Sequence, residues 1–175
     1  MRNIELKVLS ELIKNARMSD RELAKKIGSS QPTVTRTRRK LEKQGYIREY
    51  TVIPDFAKIG YKILALTFAL SRALNAEEAE RARKLLADSV KNKQFEFIML
   101  ERGRGLGFDA VVISLHEDYS SYLNVLDWLR QFDFVEVTKI DSFLINLADD
   151  VHYRPLTFST LAKHFLLQAE KRSKS

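Results

Sequence analysis

The apolar residues of the first 45 positions recur at helical spacing in three short segments separated by polar turns. Residues 3–16 carry apolar side chains three and four positions apart, which predicts a first helix. Ser19 followed by Glu22 forms a capping-box pattern, so a second helix is expected to begin there. Gly28 predicts the end of that helix, because glycine tolerates positive φ. Ser30 predicts the start of a third helix directly after a tight turn.

The residues that follow the third helix change to a two-residue period. Gly45 is expected to end the helix, and residues 46–53 alternate apolar and polar side chains, which is typical of a small β-wing. Pro54 and Gly60 then bracket a predicted linker at residues 54–61.

Residues 62–150 contain four strand-like and two helix-like segments in the order βαββαβ, which is the ferredoxin-like motif. The strands are rich in Val, Ile, Leu and Phe, and an isolated four-stranded sheet would leave one apolar face open. Self-association is the simplest way to cover that face. The strands are predicted at 62–70, 95–100, 110–115 and 135–147, and the helices begin at the N-cap residues Asn75 and Asp118.

The C-terminal residues 151–175 add a helix to this pattern. Residues 155–168 are amphipathic, with Leu161, Phe165 and Gln168 on one side, and residues 171–175 are expected to fray. The helix can pack on its own domain, seal a dimer or dock a partner, and the first two outcomes are favoured.

The net charge of +7 is distributed very unevenly along the chain. Residues 1–60 contain 14 Lys and Arg against 7 Asp and Glu, whereas residues 61–175 contain 16 of each. All of the excess positive charge therefore lies in the three-helix segment. This asymmetry indicates that one domain meets a polyanion, and nucleic acid is favoured over a solvated basic face.

The third helix has the side chains that a major-groove reader needs. Val34 and Leu41, seven positions apart, mark its buried side. Hydrogen-bonding residues at the N-terminus can reach base edges, and the cations that follow can hold phosphates. Arg48 on the wing can contact a phosphate or remain a solvent-exposed charge. The predicted DNA-binding residues are Ser30, Gln31, Thr33, Thr35, Arg36, Arg38, Arg39, Lys40 and Arg48.

These segments carry a resemblance to a known family. Residues 27–36, 40–42 and 45–47 resemble a winged helix-turn-helix, and residues 50–61, Tyr-Thr-Val-Ile-Pro-Asp-Phe-Ala-Lys-Ile-Gly-Tyr, are similar to the Lrp/AsnC transcription regulators. The close match covers residues 3–61. It implies a DNA-binding domain at 1–53, followed by a ferredoxin-like effector domain that pairs into dimers, assembles further and binds amino acids near subunit interfaces.

One residue departs from the family pattern of the third helix. Arg38 stands where such helices usually place an apolar residue. Either Thr37 is the inward residue, or Arg38 buries its stem and exposes its charged head.

A glycine-rich segment, Gly103-x-Gly105-x-Gly107, lies between two predicted strands. A nucleotide-binding fingerprint would open a helix, so that chemistry is excluded. The resemblance implies an effector-binding turn here, with Arg104, Gly105, Gly107 and Asp109 as candidates, although the spacing differs from the family's. The favoured alternative is a β-hairpin whose glycines supply positive φ.

Other site chemistry is not expected. The chain has no cysteine, which rules out disulfides and thiolate metal sites, and its histidines, His116, His152 and His164, lack metal spacing. We therefore expect no catalytic residue, no metal and no cofactor. Trp128 and Phe132 are interpreted as core or dimer-interface residues. No signal peptide or membrane-spanning run is evident, so a cytoplasmic location is expected.

The leading interpretation is a sequence-specific regulator that binds double-stranded DNA as a homodimer or higher oligomer, with an amino-acid-like effector. One alternative is an enzyme resembling siroheme decarboxylases, which share both domains. Those enzymes carry a histidine-asparagine-tyrosine motif on the effector-domain strands, and residues 95–115 contain no histidine. The other alternative is a ligand-binding oligomer with a vestigial helix-turn-helix, against which the concentrated charge argues.

Overall fold

The computed structural model describes residues 1–71, 75–92, 95–151 and 154–174. The chain divides into two units, one formed by Met1–Ile53 with Tyr153–Ser175 and the other by Pro54–His152. We call the first the helical unit and the second the sheet unit. The predicted α+β class is confirmed, with a helix-turn-helix followed by a four-stranded antiparallel sheet.

The turns of the helical unit are set by the local signals in the sequence. The Ser19 hydroxyl accepts a hydrogen bond from the Glu22 backbone N–H, and the Glu22 carboxylate accepts one from the Ser19 N–H, so the capping box forms. Gly28 ends the second helix with φ of 69°, and Ser30 caps the third. The three helices are α1 (Asn3–Lys14), α2 (Asp20–Ile27) and α3 (Gln31–Lys43).

The apolar faces of these three helices share one core. Val8, Val34 and Leu41 are fully buried in it, and Ile47 packs against it from beyond the end of α3. Burial of this core holds α3 across α1 and α2 and turns its other sides to solvent. The buried set is Val8, Leu9, Leu12, Met18, Leu23, Ala24, Val34 and Leu41.

The predicted β-wing is wrong for this single chain. Residues 46–53 contain no strand, and no described residue of the helical unit lies in one. The backbone N–H groups of Tyr46 and Ile47 both donate to the Leu41 carbonyl and close the end of α3. A strand needs a neighbouring strand for its ladder hydrogen bonds, and the alternating pattern alone does not provide one.

The C-terminal helix, α6 (Leu161–Lys174), packs on α1 within the helical unit. Ala162 and Ala169, seven residues apart, are both buried, and the Ser10 hydroxyl of α1 donates a 2.9 Å hydrogen bond to the Ala162 carbonyl. Small side chains at this spacing allow two helices to approach closely. Of the outcomes left open by the sequence, α6 therefore packs on its own chain, against the first helix.

The C-terminal helix begins and ends at later residues than the sequence predicts. It begins at Leu161 because Phe158, Ser159 and Thr160 form a turn, which is closed by the Leu161 N–H donating to the Phe158 carbonyl. At the other end, residues 171–174 are helical instead of frayed, and Arg172 donates to the Met1 carbonyl. Ser175 lies outside the described residues.

The sheet unit has the predicted ferredoxin-like topology, and residues 54–61, predicted as a linker, belong to it. The strands pair antiparallel in the order β2-β3-β1-β4. The predicted caps form, because Asn75 accepts from the Glu78 N–H and Asp118 from the Ser121 N–H. The elements are β1 (Ile63–Ser71), α4 (Ala76–Lys91), β2 (Phe97–Gly105), β3 (Phe108–His116), α5 (Tyr119–Arg130) and β4 (Val135–Asn146).

One face of the sheet lies under the two helices. Tyr122 and Leu126 of α5 pack on Ala65, and Trp128 and Val112 belong to a second buried cluster. Trp128 is therefore a core residue, in agreement with the first of its two interpretations, and Phe132 packs partly buried against the same cluster. His116 is also buried, hydrogen-bonded to Ser114, whereas His164 is exposed and His152 lies outside the described residues.

The opposite face of the sheet is apolar and open. Strand register places Leu66 between Ile113 and Phe143, and Leu64 beside Ile145. The Phe143 side chain is 65% exposed. A contiguous apolar face of this kind is typical of a protein–protein contact.

The glycine-rich segment is part of a β-hairpin, as the favoured alternative predicted, but most of it lies in a strand. β2 continues through Gly103 and Gly105, and the turn consists of Leu106 and Gly107, with φ of 54° and 83°. Of the three glycines, Gly107 alone supplies positive φ. Among the described residues, no helix combines the length and the apolar character that crossing a membrane requires.

We expect Ala169→Leu to destabilise the protein by about 1–3 kcal/mol, because the larger side chain cannot fit between α6 and α1. Urea unfolding followed by circular dichroism measures the change. Leu167→Ala, at an exposed position of the same helix, is the control and should change stability by less than about 0.5 kcal/mol. Equal midpoints for both variants would mean that α6 does not pack on α1 in solution.

Candidate nucleic-acid interface

The buried side of α3 consists of Val34, Thr37 and Leu41. The Thr37 hydroxyl donates a 2.8 Å hydrogen bond to the Thr33 carbonyl, one turn earlier, which satisfies it inside the unit. Thr37 is therefore the inward residue, as the first of the two alternatives for this position proposed.

The exposed side of α3 brings together four of the nine predicted base- and phosphate-contacting residues. Gln31, Arg36 and Arg39 are exposed, and together with Pro32 and Thr35 they line one shallow depression. Within the described part of the chain, neither Arg36 nor Arg39 has an ion pair. An amide and two uncommitted guanidinium groups thus share one surface at the N-terminal half of a helix.

Arg38 is directed into the protein. Its guanidinium lies 2.9 Å from an Asp20 carboxylate oxygen, donates to the Met18 carbonyl at 3.0 Å and sits 5.6 Å from the centre of the Tyr50 ring. The Arg38 side chain is 20% exposed. The guanidinium is therefore a bridge between α3, the start of α2 and the segment after α3, in place of the exposed head expected from the sequence.

Thr35 is tied to the same carboxylate. Its hydroxyl donates a 2.7 Å hydrogen bond to Asp20. Asp20 thus holds two residues of α3, and the Thr35 oxygen keeps only its acceptor capacity for an outside partner.

Lys40 also has an internal partner. Its ammonium lies 2.7 Å from the Glu5 carboxylate of α1, which also accepts from the Arg2 backbone and side chain. Glu5 is 3% exposed. The hydrogen bond from Lys40 and those from Arg2 outweigh the effect of burial and lower the pKa of Glu5 to about 2.

Tyr50 anchors the segment after α3 to the end of that helix. Its hydroxyl donates a 2.7 Å hydrogen bond to the Glu42 carboxylate. Partial desolvation of the hydroxyl and the nearby Glu42 raise the pKa of Tyr50 to about 12.

The remaining predicted residues have different surroundings. Ser30 caps α3, and its hydroxyl lies 2.7 Å from that of Thr33, so both are partly used within the helix. Arg48 is exposed in the segment after α3. Asp20, Glu5 and Tyr50 were missed by sequence reasoning. One signal in the sequence could have indicated an internal ion pair. Glu5 is an acidic residue among the apolar positions of an amphipathic helix.

The return of the C-terminal segment strengthens the charge asymmetry. Residues 1–53 and 153–175 together contain 18 Lys and Arg against 7 Asp and Glu, a balance of +11. Residues 54–152 contain 12 against 16, a balance of −4. The helical unit is thus strongly basic and the sheet unit is mildly acidic. The charge count divided at residue 60 understates this difference, because it assigns the basic C-terminal residues to the second part of the chain.

The predicted effector residues lie on the β2–β3 hairpin. Arg104, Gly105 and Gly107 are exposed at its end. Asp109 is engaged within the sheet unit, since it accepts hydrogen bonds from the Ser71 N–H and hydroxyl at 2.8 and 3.1 Å. The described residues contain no group of three or more His, Asp or Glu placed to hold a metal ion.

The chain is similar in sequence and in fold to known DNA-binding regulators. Residues 1–48 match the family model described as winged helix-turn-helix DNA-binding. HTH-type transcriptional regulator LrpC of Bacillus subtilis (strain 168) is 41% identical over 66 residues, which cover 38% of this chain and 46% of LrpC. An AsnC family transcriptional regulator from Agrobacterium tumefaciens has a TM-score of 0.71 at 18% identity, covering 92% of this chain and 99% of that one. The chain thus resembles the Lrp/AsnC regulators, in sequence over its helix-turn-helix and in fold over most of its length.

A further solved structure gives the same fold. Transcriptional regulator NMB0573 from Neisseria meningitidis, in complex with L-Met, has a TM-score of 0.72 at 21% identity and covers 91% of this chain and 95% of that one. The chain spans about half the length of the first curated relatives that it matches, 53% and 57% of two regulators from Pyrococcus furiosus. The Lrp/AsnC sequence signal is thus concentrated in the helix-turn-helix, while the fold likeness extends over the sheet unit.

We expect the pairing of Glu5 with Lys40 to stabilise the protein above pH 4.5 and to lose that effect as the pH falls toward 2. The sign follows from the folded pKa of about 2 lying below the ordinary value of 4.5, a difference that corresponds to roughly 3 kcal/mol. Glu5→Gln should therefore lower stability at pH 7 by about 1–3 kcal/mol.

Urea midpoints at pH 7, 5 and 3.5 measure this effect. The gap between wild type and Glu5→Gln should be constant from pH 7 to 5 and smaller at pH 3.5. Glu49→Gln, which alters an exposed carboxylate, is the control. A gap that does not change with pH would contradict the pKa assignment of Glu5.

Proposed function

We propose that the protein is a sequence-specific transcription regulator that binds double-stranded DNA through α3. The observation that carries the proposal is that Gln31, Arg36 and Arg39 share one exposed surface of a helix whose other sides are fixed to α1 and α2. The +11 balance of the helical unit supplies the long-range attraction to a polyanion.

The α3 side chains divide between two roles in this proposal. Gln31 and Thr35 face base edges, Thr35 as an acceptor, and Arg36 and Arg39 hold phosphates. Arg38 and Lys40 act by orienting α3 through Asp20 and Glu5. Ser30 and Thr33 contribute through the N-terminus of the helix, and Arg48 reaches a phosphate from the segment beyond it.

The domain assignment follows from these roles. Residues 1–53 bind DNA, residues 62–150 form the effector and oligomerisation domain, and residues 151–175 extend the DNA-binding unit. The open sheet face around Leu66 and Phe143 supports a homodimer, which can assemble further. Two copies of α3 would then reach half-sites one helical turn apart.

The proposed function also includes the binding of a small-molecule effector of the amino-acid type. One solved relative is an L-Met complex. On the β2–β3 hairpin, Arg104 and the backbone at Gly105 and Gly107 are exposed and available to a carboxylate, while Asp109 serves the hairpin itself.

The curated relatives are named as transcriptional regulators, which favours this function over the siroheme-decarboxylase-like enzyme. The basic α3 surface argues against a vestigial helix-turn-helix. A regulator of this kind is expected to act in the cytoplasm.

Selection of duplexes from a random-sequence pool, followed by fluorescence anisotropy, tests the proposal. The selected duplex should bind at least about 10³-fold more tightly than a scrambled duplex of the same composition, with a steep dependence on salt. Equal binding to both duplexes would reject sequence-specific reading. The absence of binding at low salt would reject the regulator function.

Arg36→Ala and Arg39→Ala should each lower the slope of log K against log salt by about 0.9, because each removes one phosphate contact. The loss should be similar for selected and scrambled duplexes. Arg83→Ala, the same charge change in the sheet unit, is the control and should leave the slope unchanged. An unchanged slope in both α3 variants would remove these residues from the phosphate interface.

Arg38→Met should behave differently, since its guanidinium is bonded to Asp20 and Met18. We expect the salt slope to stay within about 0.3 of wild type while the preference for the selected duplex falls about tenfold. Asp20→Asn should reproduce this loss. Arg38→Lys should not restore it, because an ammonium cannot bond both partners in the same geometry. A slope lowered by about 0.9 and restored by lysine would place Arg38 on a phosphate.

A further inference from the structure

The antiparallel packing of α6 on α1 brings the C-terminal end of α6 to the N-terminal end of α1. At one end of this helix pair, the Ser10 hydroxyl donates a hydrogen bond to the Ala162 carbonyl. At the other end, the Arg172 guanidinium donates to the Met1 carbonyl. Ala162 and Arg172 are ten residues apart, which corresponds to about 15 Å along a helix. The two ends of α6 therefore have different neighbours.

The N-terminal end of α1 also adjoins α3. One oxygen of the buried Glu5 carboxylate lies 3.0 Å from the Arg2 guanidinium and 2.7 Å from the Lys40 ammonium. Two cations that contact the same oxygen must lie close together. Because Met1 and Arg2 are consecutive, the chain before α1 joins the edge of α3 to the end of α6. We call Arg2, Lys40 and Arg172 the terminal cluster.

The terminal cluster keeps an excess of positive charge after its ion pairs are counted. Among the described residues, Glu5 is the one carboxylate bonded to it, so three cations face a single negative charge. The bond from Arg172 goes to a neutral carbonyl. Glu170 and Lys171, which precede Arg172, have opposite charges and change the total by nothing. The remaining carboxylates of the helical unit are on α1, α2, α3 and the segment after α3, at Glu11, Asp20, Glu22, Glu42 and Glu49.

The donors of the cluster are accessible from solvent. The Arg2 side chain is 67% exposed, and that of Lys40 is 39% exposed. Arg172 is also exposed. A guanidinium has five N–H donors, and the described bonds of Arg2 and Arg172 occupy few of them. Each arginine can therefore bind an outside anion without giving up its internal bond.

The terminal cluster continues the basic surface of α3. Arg36 is exposed and precedes Lys40 by four residues, so the two side chains lie one helical turn apart on the same side of α3. The cations thus follow one another from Arg36 through Lys40 and Arg2 to Arg172. The order passes from α3 across the start of α1 to the end of α6.

A helix in the major groove lies between two phosphate backbones. The groove is about 12 Å wide, little more than the diameter of a helix with its side chains. Side chains on the edge of such a helix therefore face a backbone and not the bases. Lys40 is on the edge of α3 that faces α1, so the terminal cluster lies beside the helix, where a backbone would pass.

We propose that the terminal cluster is a second DNA contact, in which Arg2 and Arg172 hold phosphates beyond those that α3 reaches. The inference rests on the proposed binding of DNA through α3, and it gives the added C-terminal helix a part in that binding. Packed helices have axes about 8–10 Å apart, so the second contact lies about 10–20 Å from the phosphate held by Arg36.

The salt dependence of binding to the selected duplex tests the charge of Arg172. In the full chain, Arg172→Gln should lower the slope of log K against log salt by about 0.9, because one phosphate contact is lost. Arg172→Lys keeps the charge and should stay within about 0.3 of the wild-type slope. Lys163→Gln removes the same charge from an exposed position at the other end of α6 and should leave the slope unchanged. Circular dichroism confirms that each variant is folded.

Duplexes with one neutral methylphosphonate at a time locate the contact. At one or two phosphates outside those of α3, wild type should lose affinity about threefold to tenfold, and Arg172→Gln by less than about twofold, since its contact is already absent. At the phosphate held by Arg36, which Arg36→Ala identifies in the same scan, wild type and Arg172→Gln should lose affinity equally.

The possible results separate this inference from the regulator function. An effect of Arg36→Ala without one of Arg172→Gln would reject the second contact alone, and it is the result expected if the terminal cluster serves an acidic protein instead. Equal slope losses in Arg172→Gln and Lys163→Gln would indicate a general charge effect and would also reject it. A wild-type protein that binds no duplex would reject both the second contact and the regulator function.

Discussion

The position of α3 depends on two carboxylates, Glu5 of α1 and Asp20 of α2. Each of them forms an ion pair with a cationic side chain of α3. A buried or half-buried carboxylate is costly unless it is paired and hydrogen-bonded, and both are. The basic residues of α3 consequently divide into two sets. Arg38 and Lys40 form ion pairs within the protein and orient the helix, whereas Arg36 and Arg39 are exposed to solvent. The number of cations on such a helix therefore overstates the number of phosphates that it can hold.

The helical unit contains the C-terminal segment of the chain as well as its first 53 residues. A unit of about 50 residues buries little apolar surface, so an added helix matters to its stability. α1 is buried on two sides: Val8, Leu9 and Leu12 face the helix-turn-helix core, and Ser10 contacts α6. Because α1 also holds Glu5, the packing of α6 bears indirectly on the placement of α3. The added C-terminal helix thus supports the helix-turn-helix, the part of the chain that carries the sequence resemblance.

Features set by neighbouring residues could be predicted, and those set by distant residues could not. The caps at Ser19, Ser30 and Asp118 and the positive φ at Gly28 are local, and the structure has them where the sequence placed them. The buried side of α3 followed from the spacing of Val34 and Leu41.

The partners of Arg38, Lys40 and α6 lie 20, 35 and about 150 residues away, and no local pattern names them. The wing failed for a related reason, since alternation shows that residues 46–53 can form a strand but not what they would pair with. The exposed Gln31, Arg36 and Arg39 stay predictions for DNA contact, because a free surface shows availability and not what binds to it.

The two faces of the sheet differ in what covers their apolar side chains. Val112 lies on the face under the helices, in a buried cluster with Trp128, and Leu100 packs against that cluster. Leu66, Ile113 and Phe143 lie on the other face, which no described helix covers. Because this second face leaves contiguous apolar surface in contact with water, a second copy of the chain packed on it would remove that surface from solvent.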